Sequence, residues 1–226
     1  MVSRFAAPPW RLSILTILAL LSLLAWDQST LDLLLARWAG GSEGFALREN
    51  WLLTLVMHDG LRRLSWLLVV GLCAGVWWPF GPLLRLDFSA RLKLAVTTLA
   101  AALAVSLVKG ISPTSCPWDL AGFGGAAHYV PHWRFIADGG PGHCFPAGHA
   151  SSGFAFVGGY FSFRAVDPRT ARLWLGAALA SGFLLGLGQQ LRGAHFMSHT
   201  LWSGLICWLV AMWIDHIWPG GLEELA

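Results

Sequence analysis

Long apolar stretches separated by short polar segments dominate the sequence. A helix needs about 20 apolar residues to cross the bilayer, and several of these stretches approach that length once a flanking turn is added. The segment Gln28–Leu61 alternates apolar and polar residues and is too polar to cross, so we expect short helices there at the membrane interface. We predict six spans at Leu12–Trp26, Leu64–Leu84, Leu94–Val108, Ala147–Phe163, Leu173–Leu191 and Thr200–Ile214.

The composition agrees with a membrane protein. Hydrophobic residues make up 56% of the 226 residues and charged residues 12%, against roughly 45–50% and about 25% in soluble domains. That charge is too sparse to cover a soluble surface. The Lys and Arg residues behind the net charge of +3 are scattered, so we expect no nucleic-acid partner. We predict an all-α fold, with residues 1–226 forming a single integral membrane domain.

The basic residues suggest an orientation. Arg4 and Arg11 precede the first apolar run, which is either a cleaved signal or a retained span. We favour a span, because Trp26-Asp27-Gln28 lacks a small-residue cleavage pattern. With six spans, one side carries the short basic loops, and we assign that side to the cytoplasm and the other to the periplasm of a bacterial inner membrane. Besides Arg4 and Arg11, the basic residues on the cytoplasmic side are Arg85, Arg91, Lys93, Arg164, Arg169 and Arg172.

Two polar clusters remain, and six spans bring both to the outer side. In the first, Pro146, Gly148 and His149 begin a predicted helix, where free backbone N–H groups can bind an anion and the glycine allows close approach. The alternative is a plain helix start with an interfacial histidine. In the second, His195 and His199 lie one helical turn apart. That spacing suits a metal pair, a catalytic histidine with an orienting partner, or two histidines facing headgroups.

Three motifs in this region resemble the signatures of the type 2 phosphatidic acid phosphatase superfamily. Lys109 with Cys116-Pro117, Pro146-Ala147-Gly148-His149, and Gly193-Ala194-His195 followed by His199 are similar to Lys-x6-Arg-Pro, Pro-Ser-Gly-His and Ser-Arg-x5-His-x3-Asp. The order, the gaps and the six-span layout of the lipid-phosphatase branch agree, and the resemblance covers about Lys109 to Ser203.

The resemblance implies a mechanism without metal or other cofactor. His195 would attack phosphorus and form a phosphohistidine, His149 would protonate the leaving oxygen, and Lys109 would bind the nonbridging oxygens together with the backbone at Gly148. Imidazole chemistry is compatible with these roles near neutral pH. A second alignment would instead make His199 the nucleophile and place Ser203 at the aspartate. We prefer His195 because the Gly-x-His pattern is kept.

The chain departs from the motifs at four positions. Cys116 and Gln189 replace the two arginines, Ala147 replaces serine, and His199 replaces aspartate. Guanidinium groups bind phosphate oxygens well. We therefore expect other arginines of the chain to replace the two motif arginines that are missing at positions 116 and 189. Our candidates are Arg192 and Arg134. His199 would orient the ring of His195 less strongly than a carboxylate does. Two further carboxylates are alternatives for that task, although both are more typical of loops and caps: Asp119 and Asp138.

The four cysteines lie in two kinds of location, the predicted spans and the outer loop. Cys73 and Cys207 fall inside predicted spans, where packing explains them. Cys116 and Cys144 lie in the outer loop, each next to a motif. They are either free thiols or a disulfide, and we favour the disulfide, which would stabilise the loop by about 3–4 kcal/mol.

The sequence therefore favours a membrane lipid phosphatase acting at the outer face on a lipid phosphate or pyrophosphate. Its expected partners are the substrate and the surrounding lipids, with no obligate protein partner. Undecaprenyl pyrophosphate, phosphatidylglycerophosphate and lipid A are all compatible substrates. Three alternatives stay open: a lipid phosphotransferase with the same site, a membrane metalloenzyme with iron or zinc at His195 and His199, and a noncatalytic lipid-binding relative.

Overall fold

The computed structural model describes residues 9–218, and helices account for most of them. One small antiparallel hairpin pairs β1 (Gly40–Gly41) with β2 (Gly44–Phe45). A π-helical stretch, Leu52–Gly60, runs directly into α3. Short 3-10 turns occur at Gly81–Arg85, Pro117–Asp119, Ala121–Phe123, His132–Arg134 and Ala155–Val157. The α-helices are α1 (Pro9–Asp27), α2 (Leu31–Ala39), α3 (Leu61–Ala74), α4 (Phe88–Ile111), α5 (Gly148–Phe154), α6 (Gly158–Phe163), α7 (Pro168–Leu191) and α8 (Met197–Ile217).

Four of the six predicted spans fall inside long helices. In residues 9–218, α1, α4, α7 and α8 are long and apolar enough to cross a membrane. Local sequence explains where two of them begin. The side chain of Asp87 accepts a hydrogen bond from the Ala90 N–H and so caps α4. Asp167 does the same for α7, where Pro168 follows at the first helical position. Arg4 lies outside the described residues.

The second predicted span is wrong in its bounds. The continuous helical run covers 52–74 instead of Leu64–Leu84. It ends at Ala74, and Pro79 keeps helical backbone from continuing through Trp78, because the proline ring disfavours helical backbone in the residue before it. The polar residues at 58–63, which lie at the boundary between the predicted interfacial segment and the predicted second span, are inside this helical run. Within that segment α2 and the hairpin are the short elements.

The fourth predicted span is helical but not one regular helix. It runs from α5 through a 3-10 turn into α6. The last turn of α5 packs closely on the middle of α7: a Cβ added to Gly153 would lie 2.3 Å from the Gly182 nitrogen. The glycine at position 153 therefore allows the two helices to approach this closely.

The two ends of the helices differ in chemistry. At one end, Asp215 of α8 accepts hydrogen bonds from Lys93 and Arg164, each at 2.7 Å, and so ties α8 to α4 and α6. Between the ends, apolar residues such as Val105, Phe154 and Cys207 form the core of α4, α5 and α8. Large apolar side chains also cover the outer surface, which is the pattern expected of helices that face lipid. The opposite end contains the histidines of the two sequence clusters.

Candidate active site

Three distant segments meet at the histidine-containing end of the helices. Lys109 lies in the last turn of α4, His149 in the first turn of α5, and His195 in the turn between α7 and α8. A Cβ added to Gly148 would lie 3.5 Å from Cδ of Lys109, so the lysine side chain extends across the start of α5. Lys109 and His149 are both close enough to act electrostatically on His195. The three residues therefore lie near one another at this end of the helices.

The start of α5 is attached to α8 through its backbone. The Ala147 N–H donates to the His199 carbonyl at 3.1 Å, and Ser203 Oγ donates to the Ala147 carbonyl at 2.9 Å. Ser203 is the residue that would replace the aspartate in the second alignment. In the structure its hydroxyl joins the helix that carries His149 to the helix that carries His199.

A glycine turn positions His195. Gly193 has φ +76°, a left-handed conformation that favours glycine after a helix end, and the Ala194 N–H donates to the Gln189 carbonyl at 2.8 Å. The Trp118 N–H donates to the Gly193 carbonyl at 3.0 Å. A Cβ on Gly193 would also meet the ring of Phe45 at 2.2 Å, so side-chain packing excludes a larger residue as well.

The environment of His195 favours its neutral form. Its side chain is buried, with only 5% of the residue exposed. Burial lowers the pKa of His195 well below its ordinary value, and Lys109, His199 and His149 lower it further. A backbone hydrogen bond with Cys144 acts in the opposite direction without cancelling the effect. At neutral pH a ring nitrogen of His195 therefore keeps the lone pair that a nucleophile needs.

The outer loop is fixed beside His195 by a disulfide between Cys116 and Cys144, the pairing that the sequence analysis favours. Cys144 Sγ lies 3.5 Å from His195 Nδ1. The two carboxylates considered for the site belong to this loop instead. Asp138 accepts hydrogen bonds from the Ser115 backbone and hydroxyl, and Asp119 accepts one from the Cys116 N–H. Both stabilise loop structure.

His199 is close to His195 without a hydrogen bond to it. The ring centroids are 5.7 Å apart. Within residues 9–218, neither ring nitrogen of His199 has a hydrogen-bond partner, although the residue is only 1% exposed. The ring packs against those of Phe145 and Phe196. The hydrogen bond by which His199 was expected to orient His195 is not present among the described residues.

Of the two candidate arginines, the structure brings one to the site. Arg192 is 9% exposed, and its Nη1 donates to Gln189 Oε1 at 3.1 Å while its Nε donates to the Arg48 carbonyl at 2.9 Å. It is close enough to act electrostatically on His149. Gln189, which replaces the second motif arginine, thus positions a neighbouring arginine. Arg134 is exposed, and among residues 9–218 it has no hydrogen bond or ion pair with this site.

The π-helical stretch adds residues that the sequence analysis missed. The ring of His58 packs on that of His149 with centroids 3.8 Å apart, and His58 Nδ1 lies 2.7 Å from Asp59 Oδ1. Arg62, one turn further on, also acts electrostatically on His149. The sequence analysis expects His58 and Asp59 in the interfacial segment Gln28–Leu61. The near-helical spacing of His58 and Arg62 was the available signal that they share one face.

Asp32, near the start of the chain, anchors the helix that follows His195. Its Oδ1 accepts hydrogen bonds from the Ser198 N–H at 3.0 Å and from Trp26 Nε1 at 2.9 Å, and Ser198 Oγ donates to its Oδ2. Asp32 is buried, and its charge lies at the N-terminus of α8, where the helix dipole favours an anion. This carboxylate fixes the first turn of α8 next to His195 and His199.

Comparison with known proteins gives a match to one protein family. The family model described as PAP2 superfamily matches residues 90–220 and so includes Lys109, His149 and His195. The chain belongs to this superfamily of phosphatases, which supports a phosphoester hydrolase activity. No curated protein and no solved structure matches the chain. His58, Asp32 and Arg62 lie outside the matched range.

Proposed function

We propose that the protein is a membrane lipid phosphatase that removes phosphate from a lipid phosphate or pyrophosphate at the outer face through a phosphohistidine on His195. The observation that carries this proposal is the convergence of Lys109, His149 and a buried, neutral His195 at one end of the helices. Two imidazoles and a lysine that lie near one another are suited to phosphoryl transfer.

The chemistry follows from this arrangement. The free lone pair of His195 attacks phosphorus while the bond to the lipid oxygen breaks, and His149 gives its proton to that oxygen. For His149 to be protonated beforehand, the negative charge of bound phosphate has to offset the positive charges of Lys109, Arg192 and Arg62 near its ring. Water then cleaves the phosphohistidine. Lys109 and Arg192 provide positive charge for the nonbridging oxygens, and the backbone at Gly148 leaves room for them.

A six-span topology is compatible with the helices. To the four long apolar helices we add the helical run 52–74 and the stretch 148–163 as the second and fourth spans. With this alternation His58, Lys109, His149 and His195 share one end, and the basic residues of the other end include Lys93 and Arg164. The positive-inside rule assigns that other end to the cytoplasm. The disulfide beside the site suits an oxidising compartment such as the periplasm.

A lipid substrate is supported by an apolar cavity next to the site. The cavity has a volume of about 500 Å³ and lies between α1, α5, α7 and α8. Trp26 and Leu201, which lie within one turn of Asp27 and His199, line it, as do Leu15 and Phe183 further along the helices. An aliphatic chain placed there would leave its phosphate at the end of the helices where His195 lies.

Phosphate release by the purified protein tests the proposal. The substrates are undecaprenyl pyrophosphate, phosphatidylglycerophosphate and lipid A, and the variants are His195→Ala and His216→Ala. His216 is exposed at the far end of α8, so its variant is the matched control. We expect release from at least one lipid, a loss of about 10³-fold or more in His195→Ala, and no change in His216→Ala. Release that survives in His195→Ala, or no release from any lipid, contradicts the proposal. Phosphate found on a second lipid instead of in water indicates a phosphotransferase.

A further inference from the structure

Two cysteines and two histidines form a compact cluster at the candidate active site, in which Cys144, His195 and His199 are buried and Cys116 is partly buried. The ligand atoms of Cys144, His195 and His199 all lie within 4.8 Å of one another. Cys116 is joined to Cys144, so its sulfur belongs to the same cluster. Two thiolates and two imidazoles are the ligand set of a common tetrahedral zinc site. In the disulfide form the two sulfurs are bonded to each other and are not thiolate ligands.

The distances suit a metal ion. With zinc–sulfur bonds of about 2.3 Å and zinc–nitrogen bonds of about 2.0–2.1 Å, a tetrahedral site separates sulfur from nitrogen by about 3.6 Å. The separation of Cys144 Sγ from His195 Nδ1 is 3.5 Å. These two donors therefore already lie at the separation that a shared ion requires. His199 contributes the remaining imidazole from the first turn of α8.

His199 provides independent evidence for a ligand. Both of its ring nitrogens are buried and lack hydrogen-bond partners among the described residues, and the residue is only 1% exposed. An unpaired buried polar group destabilises a fold unless something binds it. Cys116 and His199 are also two of the four positions at which the chain departs from the phosphatase motifs, and both departures introduce residues that bind zinc.

We propose that, when the disulfide is reduced, Cys116, Cys144, His195 and His199 bind one zinc-like divalent ion. The reductant is a thiol: two reductant thiols become one disulfide, and the Cys116–Cys144 bond becomes two cysteine thiols. Metal binding then releases the two thiol protons and leaves two thiolates and two neutral imidazoles around the ion. Reduction is thus balanced by oxidation of the reductant, and the metal itself does not change its oxidation state.

Metal binding would also switch off the proposed phosphatase. The ion uses a lone pair of His195 and blocks its approach to phosphorus. The disulfide form and the metal-bound form are then alternative states of the same residues, selected by the redox environment. This consequence rests on the proposed function, whereas the binding of metal does not.

Cobalt titration of the full-length protein in detergent tests the site. The protein is reduced with a phosphine under anaerobic conditions and titrated with Co²⁺, with unreduced protein measured in parallel. We expect one Co²⁺ per reduced chain, with sulfur-to-cobalt charge-transfer absorption and tetrahedral visible bands that excess Zn²⁺ removes. Unreduced protein should show neither. A reduced protein without these bands overturns the proposal.

Variants connect the signal to the four residues. Cys116→Ser and Cys144→Ser should each weaken the charge-transfer absorption, and His199→Ala should remove the tetrahedral bands. Cys73→Ser, which removes a free cysteine outside the cluster, is the control and should bind as the unaltered protein does. Circular dichroism of each variant verifies its helix content. If a correctly folded His199→Ala or Cys116→Ser gives the unaltered spectrum, the site is wrong. Phosphate release by the unreduced protein tests the proposed phosphatase separately.

Discussion

Among residues 9–218, no carboxylate is one of the groups that act on His195, and burial is the largest influence on its protonation state. A motif aspartate would stabilise the imidazolium form and orient the ring. Here His199 occupies that position, and Lys109 and burial both lower the pKa of His195. A neutral ring is the reactive form in the first step of the proposed reaction. With His199 in place of the motif aspartate, His195 therefore stays neutral, which is its reactive form in the proposed reaction, to a lower pH than it would beside a carboxylate.

The pH dependence of catalysis should report this difference. We expect kcat/KM of the unaltered protein to stay high until the pH falls below about 6.5, because His195 stays neutral down to its lowered pKa. In His199→Asp, the new carboxylate favours imidazolium and should move the acidic inflection upward by about 1–3 pH units. Both proteins are measured with the same lipid, so titration of the substrate is shared. Identical inflections in the two proteins would show that position 199 does not control His195.

Arg192 and Arg134 form a natural comparison at the residue scale. Arg192 is positioned by Gln189 and the Arg48 carbonyl near His149, whereas Arg134 is exposed in the outer loop. Arg192→Ala should lower kcat/KM by about 10²–10³-fold, because one donor to the transferring phosphoryl group is lost. Arg134→Ala should leave kcat/KM unchanged. Equal losses in the two variants, or none in Arg192→Ala, would remove Arg192 from the site.

At the scale of elements, the first turn of α8 depends on the N-terminal part of the chain. Asp32 lies outside the range that the family model matches, yet it binds the Ser198 backbone and hydroxyl between the two site histidines. Trp202, one turn after Ser198, donates to Asp27 Oδ2 at 2.9 Å. Helices α1 and α2 therefore hold the first turns of α8 in place through these hydrogen bonds.

Loss of this anchor should affect both stability and catalysis. Asp32→Ala removes charge-assisted hydrogen bonds to Ser198 and Trp26, and we expect the free energy of unfolding to fall by about 1.5–3 kcal/mol. Turnover should fall as well, because the first turn of α8 loses its fixed position. Denaturant unfolding in detergent measures the first effect. Glu43→Ala, an exposed carboxylate in the hairpin turn, is the control. Equal stability of the two variants would show that Asp32 does not anchor α8.

The sequence predicts the long helices well and the polar helix poorly. Uninterrupted apolar runs identify α1, α4, α7 and α8, because the length that a helix needs to cross the bilayer can be read from one continuous stretch of sequence. The run 52–74 contains four polar residues in or near its first half: His58, Asp59, Arg62 and Arg63. Hydropathy alone therefore does not predict the first half of this run as part of a membrane span. Those polar groups interact with one another and with His149, and such tertiary contacts are invisible in the sequence. The site motifs were recognisable, but the contribution of His58 and Asp32 was not.

For the molecule as a whole, the two ends of the helices have different tasks. The end with Lys93, Arg164 and Asp215 is closed by ion pairs that join α4, α6 and α8. The other end gathers histidines, Lys109 and Arg192 beside an apolar cavity. One end thus stabilises the helices, and the other carries the residues to which we assign the chemistry of the proposed function.

Filling the cavity should separate lipid substrates from soluble ones. Ala19 of α1 lines the cavity, whereas the neighbouring Leu18 faces outward with 54% of its surface exposed. We expect Ala19→Trp to raise KM for a long-chain lipid phosphate about tenfold and to leave turnover of a short-chain soluble analogue unchanged, because only the long chain needs the cavity. Leu18→Trp is the matched control and should affect neither substrate. A parallel loss on both substrates in Ala19→Trp would exclude the cavity as the binding site for the chain.

The most direct test of the account is to trap the phosphorylated enzyme. The protein is mixed with a phosphate-labelled lipid, quenched in alkali, where phosphohistidine survives, and digested for mass spectrometry. We predict one phosphoryl group on the peptide that contains His195, absent from His195→Ala and increased in His149→Ala when the leaving group needs no proton. A label on His199 or His149 in the unaltered protein, or turnover without any phosphohistidine, would contradict the claim that His195 is the nucleophile.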